Sequence, residues 1–287
     1  MTTTIPEVTY TPDGPARPGG AGALESLLAL PVELWRNREM IRRLVRREVQ
    51  ARYRQFFLGS LWVLLQPTLT IAVFLMLNRT GVLNVGDLAV PYPLYALAGL
   101  TIWQLFASGV ENATRSLASA GSLIVKVNVS KLSLVVASLG TAFVDFSIRA
   151  LVVAALYAWY GLRPSVTGLL LALAALVPLV ALTLALSLIQ SLVGILVRDV
   201  TGLLPIVLQG LVLLLPIYYQ MPRGGVLMQI NRWNPLYYLV CEPRDLLLHG
   251  TPPSLEGFVA STAFALVLLA VTARLFARGQ YKLAERA

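Results

Sequence analysis

The chain has 287 residues, 57% of them hydrophobic and only 13% charged, with a mean hydropathy of +0.72. A charged content about half of the roughly 25% usual for soluble domains excludes a water-soluble globular protein and indicates an integral membrane protein. The formal net charge of +9 does not indicate nucleic acid, because the basic residues stand beside apolar runs, where anionic headgroups attract them.

The first 23 residues are rich in Thr, Pro and Gly and lack the apolar stretch of a cleaved signal peptide, so residues 1–30 are expected to be a disordered cytoplasmic tail. Residues 31–287 then form one transmembrane domain. Its first element is an amphipathic interfacial helix over 33–57, with Ile41, Leu44, Val45, Val49, Tyr53 and Phe56 at helical spacing. At about 100° per residue, with Val45 as zero, Arg43, Arg47 and Arg54 group near 180°, on the polar face. Arg52 falls near −20°, amid the apolar face, where a permanent charge needs a route to headgroups or an anionic partner. Two readings of Arg52 stand side by side: a helix that bends so the side chain snorkels, or a phosphate contact. Gly59 marks a break at which the chain turns from the interface into the bilayer.

Hydropathy then gives six spans, about 60–78, 92–112, 132–160, 165–195, 201–218 and 256–276, each near the ~20 residues that cross a hydrocarbon core. The fourth is long enough to tilt, with Pro178 as a possible kink, and the fifth is weakly bounded. Seventeen Lys and Arg fall on the side of the arginine helix against five on the other, which places both termini in the cytoplasm. Before the last span, two short apolar segments meet at Asn234-Pro235, too short to cross, and read as an outer helical hairpin or a re-entrant pair. The fold class is therefore all-α integral membrane.

Few residues carry chemistry. Asp145 and Arg149 stand at i and i+4 inside the third span, an arrangement that suits a structural ion pair better than a proton carrier. Glu111 and Arg115 repeat the spacing at the end of the second span. Aromatics gather toward the outer ends of the spans, either as an interfacial belt or as a stacking path for sugars. Cys241 and His249 are the only cysteine and histidine, so neither an intramolecular disulfide nor a Cys/His metal cluster is possible. No catalytic constellation, cofactor site or metal site stands out, and no Gly-Lys pair exists to build a phosphate-binding loop for ATP. Energy is expected from another subunit or an ion gradient.

Arg52-Tyr53-Arg54, then Leu58-Gly59, Leu61-Trp62 and Gln66-Pro67, resemble the entry segment of ABC-2 type permeases that export lipid-linked polysaccharides, the Wzm-like proteins of O-antigen, teichoic acid and galactan export. Ser122-Leu123-Ile124-Val125-Lys126 resembles the family's ATPase-coupling segment. It departs from the usual pattern at Val129-Ser130-Lys131, which keeps only the positive charge. Asn234-Pro235, Arg244-Asp245 and Gly250 resemble its outer hairpin. The resemblance implies a homodimer in the bacterial inner or plasma membrane, working with two copies of a separate cytoplasmic ATPase that holds ATP and Mg. It implies a polyprenyl-diphosphate-linked glycan as substrate, with the diphosphate at Arg52, Arg54 and Gly59 and the coupling through Ser122, Lys126 and Lys131. It adds Tyr95, Trp103, Phe106, Tyr218 and Tyr219 as candidates for the glycan path. An exporter of drugs or glycolipids, a gradient-driven transporter and a membrane glycan-processing enzyme remain the alternatives.

Overall fold

The computed structural model describes residues 10–11, 14–15, 23–54, 88–119, 130–197, 199–221, 224–250 and 254–284, with isolated positions between 65 and 80. The chain is built from helices. The described strands are two-residue pieces, β1 (Tyr10–Thr11) and β2 (Gly14–Pro15), paired antiparallel.

Helix α1 (Ala23–Arg36) is followed by α2 (Arg38–Arg54), with Asn37 between them. This corrects two expectations. Helix begins inside the segment assigned to a tail, and the amphipathic helix expected over 33–57 is interrupted at Asn37, with residues 55–57 outside the described residues. Tertiary packing accounts for the early start: α1 lies against the last helix, and Leu30 and Leu34 join a cluster containing Ala273 and Phe276. Those leucines exchange water for apolar neighbours at about 25 cal/mol per Å2, which outweighs the weak helix signal of the preceding sequence.

Among the described residues, four helices are long and apolar enough to cross a membrane: α3 (Tyr92–Ser119), α4 (Lys131–Trp159), α5 (Val166–Leu196) and α9 (Leu255–Ala284). The second, third, fourth and sixth expected spans fall on them, and α3 and α9 run several residues further than hydropathy alone suggested. The fifth expected span is α6 (Asp199–Leu214), an apolar helix of 16 residues and so shorter than a full crossing. The first expected span lies mostly outside the described residues; the described positions from 65 to 76 are helical, and Ile71 is buried against Tyr92, Leu94 and Val153.

Helix α3 is the central element, packed by α4, α5, α6 and α8 (Pro235–His249). Small residues let it approach its neighbours closely, the usual means by which helices associate in lipid. A Cβ on Gly109 would meet Thr183 Cγ2 of α5 at 2.6 Å, and one on Gly194 of α5 would collide with the Thr114 carbonyl of α3. Helix α7 (Val226–Arg232) precedes α8, whose start is fixed by Asn234: its side-chain oxygen accepts from the Leu236 N–H at 3.1 Å, with Pro235 in the first turn. Gly250, at φ +77, ends α8.

A candidate functional site where the amphipathic helix meets the core

The out-of-place arginine has an anionic partner. Arg52 Nη1 donates to Asp145 Oδ2 at 2.8 Å, and Nη2 donates to Asn112 Oδ1 at 3.3 Å. Asn112 in turn donates from Nδ2 to Thr141 Oγ1 at 3.3 Å, so α2, α3 and α4 are joined by one polar chain. The Asp145 side chain is 6% exposed and that of Arg52 38%, so the carboxylate is the enclosed end of the pair.

The helices are arranged to bring this contact about. Gly140 of α4 lies directly under Val45, whose methyl groups occupy the place a Cβ would take. Near the start of α4, Ser130 Oγ donates to Glu33 Oε1 of α1 at 3.0 Å. Glu33, Val45 and Arg52 thus meet Ser130, Gly140 and Asp145 in the same order, so α2 runs alongside the first half of α4 in its own direction. Asp145 sits midway along the 29 residues of α4, so Arg52 is carried well past the helix end. On α2, Glu48 is half-buried, and burial raises its carboxyl above the usual range while Arg52 and Arg47 oppose the shift.

The sequence singled out Arg52 and Asp145 separately, Asp145 with Arg149 one turn on. The structure joins Asp145 to Arg52, and Arg149 is buried beside them at 8% exposure. Glu111 and Arg115 do pair, with Arg115 Nη2 2.9 Å from Glu111 Oε1 on a more exposed surface. Asn112 and Thr141 were not singled out. Their only signal is a polar residue at helical spacing within apolar spans, which many buried amides and hydroxyls share. The Arg54 side chain and Gly59 lie outside the described residues, as do Ser122 and Lys126 of the coupling segment. Lys131 is the first residue of α4 and is half-buried.

The aromatic candidates for a glycan path are mostly core residues. Tyr95, Trp103, Phe106 and Tyr218 are at most 5% exposed, and the Trp103 and Phe106 rings pack on each other with centroids 5.4 Å apart. Tyr219 is half-buried, its hydroxyl donating to the Leu213 and Leu214 carbonyls at 3.1 and 3.2 Å. In this state the four buried rings have no free face for a passing sugar. The most exposed aromatics among the described residues are others: Trp35, Trp159 and Trp233 are 70%, 84% and 87% exposed.

Tyr95 belongs to a second polar cluster that clamps α8 onto α3. The Arg244 guanidinium lies 4.3 Å over the Tyr95 ring, its Nε donates to Asp245 Oδ1 at 2.7 Å, and Nη1 donates to the Pro216 carbonyl. The Tyr95 hydroxyl donates to the same carbonyl at 3.0 Å and to that of Tyr219 at 3.2 Å. The absence of a side chain at Gly99 makes room for Arg244, whose Cδ lies 3.2 Å from where a Cβ would stand. With Arg244 4% exposed, this stacked arginine, bonded through Nε and Nη1, holds the end of α6 in place, a role its planar fork suits better than an ammonium would.

No group of three or more His, Cys, Asp or Glu that could hold a metal occurs among the described residues. The profile of the ABC-2 type transporter family matches residues 39–241, from the start of α2 into α8, and so includes Arg52, Asn112, Thr141 and Asp145. The chain is also similar to the O-antigen export system permease protein RfbA of Myxococcus xanthus, 26% identical over 268 residues that cover 90% of this chain and 99% of that protein. With apolar spanning helices and a family match over most of its length, the chain is a multi-pass membrane protein that belongs to the ABC-2 type transporter family.

Proposed function

We propose that the chain is the membrane subunit of an ATP-driven exporter that moves a polyprenyl-diphosphate-linked polysaccharide, such as a cell-wall galactan precursor, from the cytoplasmic to the outer face of the bacterial inner or plasma membrane. The observation that carries this reading is the end-to-end similarity to an O-antigen export permease, since it spans the arginine helix, the core spans and the outer pair of helices together. The unit is a homodimer with two copies of a cytoplasmic ATPase, which supplies ATP and Mg chemistry that this chain has no Gly-Lys loop to supply. The basic bias toward the arginine-helix side supports cytoplasmic termini.

In this reading α2 forms the cytoplasmic edge of the path. Arg42, Arg43, Arg46 and Arg47 are exposed and attract a diphosphate headgroup, while Arg52 anchors the helix through Asp145. Arg54 and Gly59 are assigned to the diphosphate entry on the family resemblance. The Ser122 to Lys131 segment takes the stroke from the ATPase and passes it to α3 and α4.

The test is a depletion strain complemented by the chain, with surface polysaccharide and the cytoplasmic pool of lipid-linked glycan measured together. Loss of surface polymer with accumulation of the lipid-linked precursor is expected, and Arg54→Ala should reproduce part of it at normal expression. Unchanged surface polymer with failure to export a drug or glycolipid would give the function to that alternative instead.

A further inference from the structure

Toward the turn that joins α4 to α5 the two helices separate, and a cavity of about 680 Å3 opens between them, floored by α3 and α8. Ala150, Ala154 and Ala158 of α4 repeat every fourth residue along one wall, so no large side chain fills the space. From Phe146 to Ala158 that wall extends about 18 Å at 1.5 Å per residue, a little more than one leaflet of a ~30 Å hydrocarbon core.

The lining is apolar apart from three side-chain polar groups, two of which have no partner among the described residues. Arg163 is the only charged side chain on it, is exposed at the mouth, and makes no ion pair among the described residues. Thr101, 3% exposed, has a buried hydroxyl oxygen with no partner among them. The third polar group, the Tyr157 hydroxyl, already donates to the Leu247 carbonyl at 2.9 Å. The position of Arg163 is built in. The Gly161 N–H donates to the Ala158 carbonyl at 3.1 Å and the Leu162 N–H to the Tyr157 carbonyl at 2.9 Å, with Gly161 at φ +66. That left-handed cap ends α4 and turns the chain across the cavity mouth, before Ser165 caps α5 by accepting from the Gly168 N–H at 2.8 Å.

We propose that this cleft is a binding site for an anionic phospholipid of the surrounding bilayer, one acyl chain lying along the alanine wall and the phosphate held by Arg163. A cationic head above an apolar slot of leaflet length matches an amphiphile with a negative head and a chain about one leaflet long. The assignment rests on the membrane placement of α4 and α5 and is independent of what the transporter exports.

The experiment mixes the full-length chain, purified in detergent, with palmitoyl-oleoyl phosphatidylglycerol, the matching phosphatidylcholine or a polyprenyl phosphate, and reads retained lipid by native mass spectrometry. Wild type should retain phosphatidylglycerol in preference to phosphatidylcholine. Arg163→Gln should reduce that preference by roughly fivefold, the order expected for one basic contact with an anionic headgroup, and Arg163→Lys should restore most of it. Ala154→Phe or Ala158→Leu, both at exposed positions that fill the slot, should lose the lipid while helical content and elution volume stay those of wild type. Equal retention of the two phospholipids, an Arg163→Gln variant that binds as wild type, full retention by both slot-filling variants, or retention of the polyprenyl phosphate in place of phosphatidylglycerol would each overturn the assignment.

Discussion

Arg52 Nη1 lies 2.8 Å from Asp145 Oδ2, across 93 residues of chain, and this pair ties the basic amphipathic helix to the middle of α4. The two ends of the bond are unequal. Removing Arg52 leaves a carboxylate that is 6% exposed, whereas neutralising Asp145 leaves a guanidinium that is 38% exposed and has Asn112 as a second acceptor.

Arg52→Ala is therefore expected to destabilise the chain by about 2 kcal/mol, between the values for exposed and fully buried pairs because one end reaches solvent. Asp145→Asn should cost about 1 kcal/mol, since an amide still accepts from Arg52. The double variant should cost less than the sum, because both single changes break the same contact. Unfolding in a mixed-detergent denaturant series measures all three. Strict additivity would mean that the two side chains do not act on each other.

Both members of this pair were legible as anomalies in the sequence: a charge on the apolar face of one helix and a charge inside an apolar span. Their pairing was not, because local spacing offers Arg149 to Asp145 and says nothing about a residue 93 positions away. The long spans were legible for the same reason that the pairing was not, since a run of apolar residues is a local property. The early start of α1 depends on Ala273 and Phe276, near the other end of the chain, and no window over residues 23–36 contains them. The aromatic candidates show the limit most plainly. Tyr95 and Tyr218 have the composition of a belt or a path, and only the positions of Arg244 and the Pro216 carbonyl make Tyr95 part of a clamp.

Gly140 tests whether α2 is seated as described. A Cβ there would overlap the Val45 methyls, so Gly140→Ala should push α2 off α4 and cost about 1–3 kcal/mol, the usual penalty of overpacking. Shortening the neighbour relieves the overlap. Gly140→Ala combined with Val45→Ala should recover most of the loss, while Val45→Ala alone costs only the removed methyl groups. Trypsin cleavage at the α2 arginines, faster in the single glycine variant and normal in the double, follows the seating directly. Equal cleavage in all three would falsify the contact.

Glu242 gives α8 a pH dependence of definite sign. The residue is 2% exposed; Oε1 accepts from the Ser254 N–H at 2.8 Å, and Oε2 is buried with no partner among the described residues. Burial, aided by Asp245, pushes its carboxyl up to about 7, while the Ser254 N–H and Arg244 pull the other way. A carboxyl whose folded pKa exceeds its unfolded value binds its proton more tightly in the folded chain. Its contribution is fully present below about 4.5 and is lost as pH rises through about 7, each pH unit between those values removing at most about 1.4 kcal/mol. The apparent melting temperature of the wild type in detergent should thus fall between about pH 5 and pH 8. Glu242→Gln keeps an oxygen for Ser254 and cannot ionise, so the part of the fall due to this group should vanish. A wild-type and variant pair with parallel pH profiles over that window would show that Glu242 does not titrate there.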